Sequence, residues 1–459
     1  MNDSKRLENV IAYVRKNRPR FIEELSSLCR LESVSARGRS LRPVAEAVAG
    51  LLERAGLEAS LVETTGQPVV VGRASGRSER TILFYNHYDV QPPEPLEAWA
   101  TPPFEPTVRD GRLYARGVAD NKGNLVARIQ AVEAWNRAGG GLPVSVAFAV
   151  EGEEETGSPN LAEFVKDNAE WLGRVVGVVW EAGYRDAAGR PTLSLGVKGI
   201  CYLELRAAGA RSDLHSSLAT VVPNPAWRLV WALATVKDPD ERVLVDGFYD
   251  AVRPPTRADL ELLAGIPDSS DEQARQLGLP GLLLGLRGEA AARRNFFEPT
   301  ATICGLVSGY TGEGEKTVLP AEATAKLDFR LVPDQDPADI EAKVRAHLER
   351  RGFGDIEVRA YAGERPARTD PASPFVGLVV EAMRRVYGQE PVVYPTMTGS
   401  GPMAYFAADL GLPVAGFGVG HAGSAVHAPN ENIALDDYIL GVEVAATLLG
   451  EAAVREDRS

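Results

Sequence analysis

TILFYNHYDV, residues Thr81–Val90, opens with five mostly β-branched or aromatic residues and closes in a polar cluster. That pattern predicts a strand buried inside a sheet and surfacing at its carboxyl edge. Open α/β sheets carry their chemistry at that edge. In an extended chain His87 and Asp89 point to one side, so the carboxylate can accept one imidazole N–H while the other nitrogen faces a metal.

The same grammar recurs downstream. The segment 91–106 carries six prolines and reads as an irregular loop. Asp110-Gly111 predicts the turn of a short hairpin whose exit delivers Asp120, just before a helix starting near Gly123 with Leu125, Ile129, Val132 and Trp135 on one stripe. Val144, Val146, Phe148 and Val150 alternate as a strand that ends in EGEEETGS, residues 151–158. Four carboxylates there, Glu151 and Glu153–Glu155, repel one another beside an apolar strand unless a cation neutralises them. A third apolar run, Val175–Trp180, ends in Glu181. Upstream, helical periodicity runs from about Leu7 to Cys29 and from Leu41 to Ala55, and short strands are expected near Glu58–Glu63 and Val69–Gly72.

From about residue 198 the organisation changes. Strands at 200–208, 301–308, 321–332 and 355–362, with helices at 226–237 and 337–351, give the order β-α-β-β-α-β, enough for a separate two-layer domain. A charged stretch, about 238–300, interrupts it as an insertion. Ser373-Pro374 starts a helix through Arg385. Leu412–Phe417 is another buried strand, succeeded by a Gly-rich loop with His421 and His427 and a closing helix from about Leu435. The expected fold class is α/β: a catalytic domain with a mostly parallel sheet flanked by helices, in two parts at 1–197 and 366–459, interrupted by the smaller domain at 198–365.

Bulk properties narrow the function. At 459 residues, 44% apolar and 25% charged, the chain suits two or three globular domains. Its net charge of −13 argues against a nucleic-acid partner, which needs a basic patch. No run reaches the roughly 18 apolar residues of a membrane span, and MNDSKRLENV lacks an apolar h-region, so no membrane association and a cytoplasmic location are expected. Cys29, Cys201 and Cys304 make neither a disulfide framework nor a thiolate zinc site, leaving oxygen and imidazole as the metal donors.

The strings YNHYDVQP, GRLYARGVADNKG, EGEEETGS and GHAGSAVHAPNE, in this order at strand ends between residues 81 and 431, resemble the zinc metallopeptidase family of carnosine dipeptidase, glutamate carboxypeptidase, aminoacylase and succinyl-diaminopimelate desuccinylase. The resemblance implies a zinc-exopeptidase-like catalytic domain and a lid and dimerisation domain, hence a homodimer through 198–365. It implies two Zn²⁺ per chain, with Asp120 bridging, His87 and Glu181 completing one shell, and Glu155 and His427 the other; Mn²⁺ or Co²⁺ can substitute. Glu154 matches the general base, Asp89 the carboxylate that orients His87, and His215 a histidine reaching the partner subunit's site. Arg330, Ser400 and Gly401 match groups that hold the substrate's carboxylate. A cis peptide between Asp120 and Asn121 is implied as well.

The chemistry asks for these residue types in its own right. Two cations sharing a carboxylate can activate one water between them, and Glu154, diverging from Glu155 along an extended chain, is free to take its proton. The expected reaction is hydrolysis of an amide bond in a dipeptide or small peptide with a free C-terminal carboxylate. Deacylation of an N-acyl amino acid on the same machinery is the alternative, since Glu181 stands where the dipeptidase branch has aspartate. A remote alternative, a nucleotide-binding oxidoreductase, rests on G-x-G-x-x-G at Gly418–Gly423 and lacks the βαβ context. His421 rivals His427 as ligand, and Arg330 has Asp328 on its own strand face as a rival partner. His347, mid-helix, reads as a surface residue.

Overall fold

The structure, a computed structural model, describes residues 3–454; residues 1–2 and 455–459 of the expected catalytic parts lie outside the described residues. The chain forms two compact units. One takes Met1–Gly196, Arg368–Thr396 and Pro402–Ser459, the other Val197–Ala367 and Met397–Gly401.

The first unit begins with α1 (Asp3–Lys16), α2 (Arg18–Cys29) and α3 (Arg42–Ala55). The single helical run expected from Leu7 to Cys29 is thus two helices. Pro19 sits in the first turn of α2, where its missing N–H is no loss, and so starts a new helix at Arg18. Then come β1 (Glu58–Val62), β2 (Val69–Ala74), β3 (Ser78–His87), the hairpin of Thr107–Arg109 and Arg112–Tyr114, α4 (Lys122–Ala138), β4 (Val144–Glu151), β5 (Val175–Trp180) and β6 (Thr192–Ser194). α4 is buried on every side from Lys122 to Trp135, not along one stripe, because α1, α3 and the C-terminal helix surround it.

The second unit contains β7 (Gly199–Ala208), α5 (Pro225–Leu233), three helices α6 (Arg257–Gly265), α7 (Ser270–Gln276) and α8 (Gly288–Phe297), then β8 (Thr300–Ser308), β9 (Glu322–Leu331), α9 (Pro337–Arg350) and β10 (Glu357–Glu364). Its antiparallel sheet has the order β8-β9-β7-β10, with α5 and α9 packed on it. On β9 the alternation is strict. Ala323, Ala325, Leu327, Phe329 and Leu331 are buried, while Asp328 and Arg330 lie on the opposite face. The stretch 238–300 is only partly an appendage, since Val243, Val245 and Phe248 join this unit's core. His347 of α9 is buried rather than on the surface, its Nε2 3.0 Å from the Thr235 carbonyl oxygen just beyond α5.

The chain returns to the first unit with α10 (Pro374–Tyr387), β11 (Val392–Tyr394), β12 (Val414–Gly416) and α11 (Leu435–Val454). Ser373 precedes α10, yet its side chain makes no cap hydrogen bond. The eight-stranded sheet runs β1-β2-β4-β3-β5-β12-β6-β11. Its centre, β4-β3-β5-β12, is parallel, and pairs toward the margins include antiparallel ones. Ile82–His87 is buried throughout, as a central strand covered on both faces must be. Parallel registry aligns the strand ends: His87 lies opposite Glu151, and Gly416 opposite Trp180. The polar residues just past these strands are therefore delivered to one edge.

Candidate metal centre

Asp120 organises that edge. Its Oδ1 lies 3.1 Å from Nε2 of His87 and its Oδ2 3.0 Å from Nε2 of His427. Each side has a further carboxylate: Glu181 Oε2 is 3.7 Å from His87 Nε2, and Glu155 Oε2 is 3.2 Å from His427 Nε2. One shared aspartate thus divides the cluster into His87/Glu181 and His427/Glu155. The ligand atoms of His87, Asp120 and Glu155 fall within 4.8 Å of one another. The peptide between Asp120 and Asn121 is cis.

His87 is held from behind. Its Nδ1 faces the Asp89 backbone oxygen at 3.1 Å and that residue's Oδ1 at 3.3 Å. The Asp89 carboxylate does more than orient the ring. It accepts the backbone N–H groups of Glu154 and Glu155 at 3.2 and 3.1 Å, and so pins the acidic turn to the strand next door. That turn is a short 3₁₀ helix, Glu154–Thr156, so the two glutamates diverge by helical rotation and not through an extended backbone. The four-carboxylate run is also divided in the fold. Glu151 accepts Tyr85 Oη and Ser158 Oγ at 2.5 and 2.9 Å and Glu153 accepts Asn160 Nδ2 at 2.6 Å, whereas Glu155 meets His427 and Glu154 interacts electrostatically with Glu181, His87 and Asp120. Tyr88 points away and donates to the Pro68 carbonyl.

A brace that sequence reasoning missed positions both loops. Glu431, fully buried, accepts the backbone N–H groups of Gly117, Ala119 and Asp120 at 2.8, 2.8 and 3.0 Å, and the Arg116 guanidinium at 2.7 Å. One carboxylate therefore ties the loop carrying His427 to the loop carrying Asp120. Its neighbour Asn430 reaches the proline-rich segment, accepting from Ala100 N and donating to the Ala98 oxygen. His421 is not part of the cluster. Its Nε2 meets Asn432 and its Nδ1 accepts the Gly423 N–H, so it is a loop-forming histidine. Gly420–His421 pairs with Tyr184–Arg185 as a short strand, so the Gly418–Gly423 motif does not open a helix and the nucleotide alternative has no structural footing.

The electrostatics are those of a site built for cations. Burial, then the neighbouring carboxylates Glu181, Asp120 and Glu155, push the Glu154 carboxyl well above its ordinary range, with His87 opposing. Burial likewise raises Glu181, to about 8. Burial works against charge on His87, but its hydrogen bonds to Asp120 and Asp89 outweigh that and raise it well above 6.5. Hydrogen bonds to Asp120 and Glu155 raise His427 to about 10. Two buried carboxylate oxygens, Glu155 Oε1 and Glu181 Oε2, have no hydrogen-bond partner, a costly arrangement that a metal would resolve. Imidazole and carboxylate donors suit Zn²⁺ and its neighbours in the transition series.

The remaining expected site residues lie in the second unit. Arg330 donates from Nη1 to Ser400 Oγ at 2.9 Å and from Nε to Asp328 Oδ2 at 3.1 Å, so both partners weighed in the sequence are present. Gly401 adjoins Ser400 and is buried. His215 closes a two-residue strand, Leu214–His215, with its ring exposed and Nδ1 2.8 Å from Ser217 Oγ.

A parallel-centred α/β sheet that gathers imidazoles and carboxylates around one shared aspartate at its strand ends defines a hydrolase of the metal-dependent type. A family model described as peptidase family M20/M25/M40 matches residues 83–451, and the chain belongs to that family. It is similar to the Cys-Gly metallodipeptidase dug1 of Schizosaccharomyces pombe, 28% identical over 472 residues that cover 97% of this chain and 98% of the relative. It is equally similar, at 28% identity, to the human Beta-Ala-His dipeptidase, covering 97% of this chain and 93% of that one. Among solved structures, the M20 family metallo-carboxypeptidase Sso-CP2 from Sulfolobus solfataricus aligns with a TM-score of 0.89 at 38% identity, over 95% of this chain and 99% of that one.

Proposed function

We propose that this protein is a metal-dependent dipeptidase that hydrolyses the amide bond of a dipeptide or small peptide with a free C-terminal carboxylate. The observation that carries the reading is the two-sided Asp120, with a histidine and a glutamate on each side. His87, Asp120 and Glu181 would hold one Zn²⁺, and Asp120, Glu155 and His427 a second, with Mn²⁺ or Co²⁺ as substitutes. When bound, such a pair polarises the scissile carbonyl and makes water acidic near neutrality. Glu154 takes the proton of the attacking water and passes it to the leaving amine, a role open to a carboxylate that stands beside the candidate ligands without being one. Asp89 keeps the His87 ring in register and fixes the turn that aims Glu154.

Arg330, with Ser400 and Gly401, holds the substrate's terminal carboxylate; the guanidinium fork has donors left after its bonds to Ser400 and Asp328. His215 serves the partner subunit of a homodimer assembled through the lid unit, whose surface carries exposed Trp227 and Trp231 on α5 and Ile303, Leu306 and Val307 on the edge strand β8. Among the described residues no helix is long and apolar enough to cross a membrane, and the working location is the cytoplasm. The fungal, human and archaeal relatives carry dipeptidase or carboxypeptidase names, which supports a peptide over an N-acyl amino acid as substrate.

The decisive experiment assays a dipeptide panel, each member free and C-terminally amidated, beside N-acyl amino acids, with chelated and zinc-reconstituted protein. Turnover of free dipeptides only in the loaded protein is expected, with amidation costing about 2–5 kcal/mol of transition-state binding. Loaded protein that cleaves no dipeptide, or treats acid and amide alike, would overturn this assignment.

A further inference from the structure

Beneath the metal-binding cluster lies a cation that neither ligation nor proton transfer uses. Arg128 projects from α4 and is 2% exposed. Its Nη1 donates to the Tyr85 carbonyl at 3.0 Å and to Asn86 Oδ1 at 2.8 Å, and its Nη2 to the carbonyls of Trp180 and Phe417 at 2.5 and 3.0 Å. Tyr85 and Asn86 immediately precede His87, Trp180 immediately precedes Glu181, and Phe417 leaves β12 toward the His427 loop. A single side chain thus gathers the carboxyl ends of the three parallel strands β3, β5 and β12. The network continues, because Asn86 Nδ2 pairs with Asn121 Oδ1 and Asn121 Nδ2 donates to the Glu181 carbonyl at 2.8 Å.

Among the described residues no carboxylate stands within ion-pair distance of Arg128. The rings of Phe84 and Phe417, with centroids 6.0 and 5.8 Å from the guanidinium carbon, flank it. Burying an ion without a paired counter-ion is expensive, and neutral donors could satisfy the same carbonyls. The positive charge therefore needs an electrostatic reason. The acid-rich cluster just above supplies one: burial pulls the guanidinium's proton affinity down, and Glu181 opposes that pull.

We propose that Arg128 is a positioning residue, a buried fixed charge that locks the ends of β3, β5 and β12, and with them the spacing of His87, Glu181 and the loop toward His427, beneath the negative carboxylate cluster. This deepens the metallopeptidase reading and rests on it. The test is zinc affinity of the apo protein, measured by competition with a chromophoric chelator, for wild type, R128K and R128Q. R128Q loses the charge and most of the donors, and at least one ion is expected to bind about tenfold or more weaker; R128K, compared at about pH 6 where it keeps the charge but not the fork, should fall between R128Q and wild type. R128Q binding like wild type, or R128K falling as far as R128Q, overturns the proposal.

Should R128Q fail to fold, R128K decides alone. A buried lysine gives up its proton as pH rises, so its zinc affinity relative to wild type should fall by about fivefold or more between about pH 6.5 and 9.5. A constant ratio is the signature of mere packing and would sink the idea. Wild type that binds two ions while R128Q and R128K match it removes this inference alone, whereas wild type that binds none removes the functional reading too.

Discussion

Glu154 and Glu155 are neighbours in one 3₁₀ turn, and the proposed function gives them different duties, base and ligand, that substitution separates. Glu154→Gln removes a proton acceptor without removing a ligand, so turnover should fall by about 10²-fold or more while metal content stays near that of wild type. Elemental analysis beside steady-state rates checks this, and retention of more than about a tenth of the activity would assign the base elsewhere. His347 makes a different prediction. Burial lowers its proton affinity; Arg351 and Arg350 act in the same sense, while the Thr235 hydrogen bond and Asp246 oppose. The folded state therefore binds fewer protons than the unfolded one just below the ordinary value of 6.5, and this group's contribution to stability declines as pH drops through that range. Denaturant unfolding at about pH 7.5 and 5 should show a smaller acid loss in His347→Gln than in wild type. An equal loss in both proteins would show that His347 does not titrate on unfolding.

At the scale of elements, the strand ends were legible and the braces were not. TILFYNH, VSVAFAVE and VVGVVW announce buried strands by local alternation or apolar runs, and the polar residues each strand delivers sit beside it in the chain. Pro19 also carried a local signal for the break between α1 and α2. Arg128 looks like one charge in an ordinary helix because Phe417, which it bonds, is 289 residues away. Glu431 stands 315 residues from Arg116, and nothing near either predicts the pairing. His347 was misread for the same reason: a helix pattern does not say that Thr235 will lie against it. The edge strand β8 and helix α5 bear on assembly. If His215 serves a partner, mixing inactive His215→Ala with inactive Glu154→Ala should restore about a quarter of wild-type activity, because half the dimers are mixed and each has one complete site. Verified subunit exchange without recovery would return His215 to its own chain.

For the molecule as a whole, the candidate ligands all fall in one of the two units. A cation present at 1,000 times its dissociation constant stabilises the state that binds it by about 4 kcal/mol. Chelation should therefore speed hydrogen exchange in the loops at 117–121, 151–156 and 427–431 and in the strands behind them. The sheet of β7–β10 should exchange at the same rate with and without metal. Uniform acceleration across both units would mean that metal stabilises the chain by another route.

The first unit is discontinuous, with residues 197–367 inserted between its parts. A ribosome therefore makes His87, Asp120, Glu155 and Glu181 well before it makes His427 and Glu431. At about 5–20 residues per second, the roughly 250 residues between Glu181 and Glu431 take on the order of 10–50 seconds. During that interval the loop carrying Asp120 lacks its brace, Glu431, and the carboxylates gathered at the strand ends lack their second imidazole. Order of synthesis thus makes completion of the candidate metal site a late event, after both His427 and Glu431 have been added.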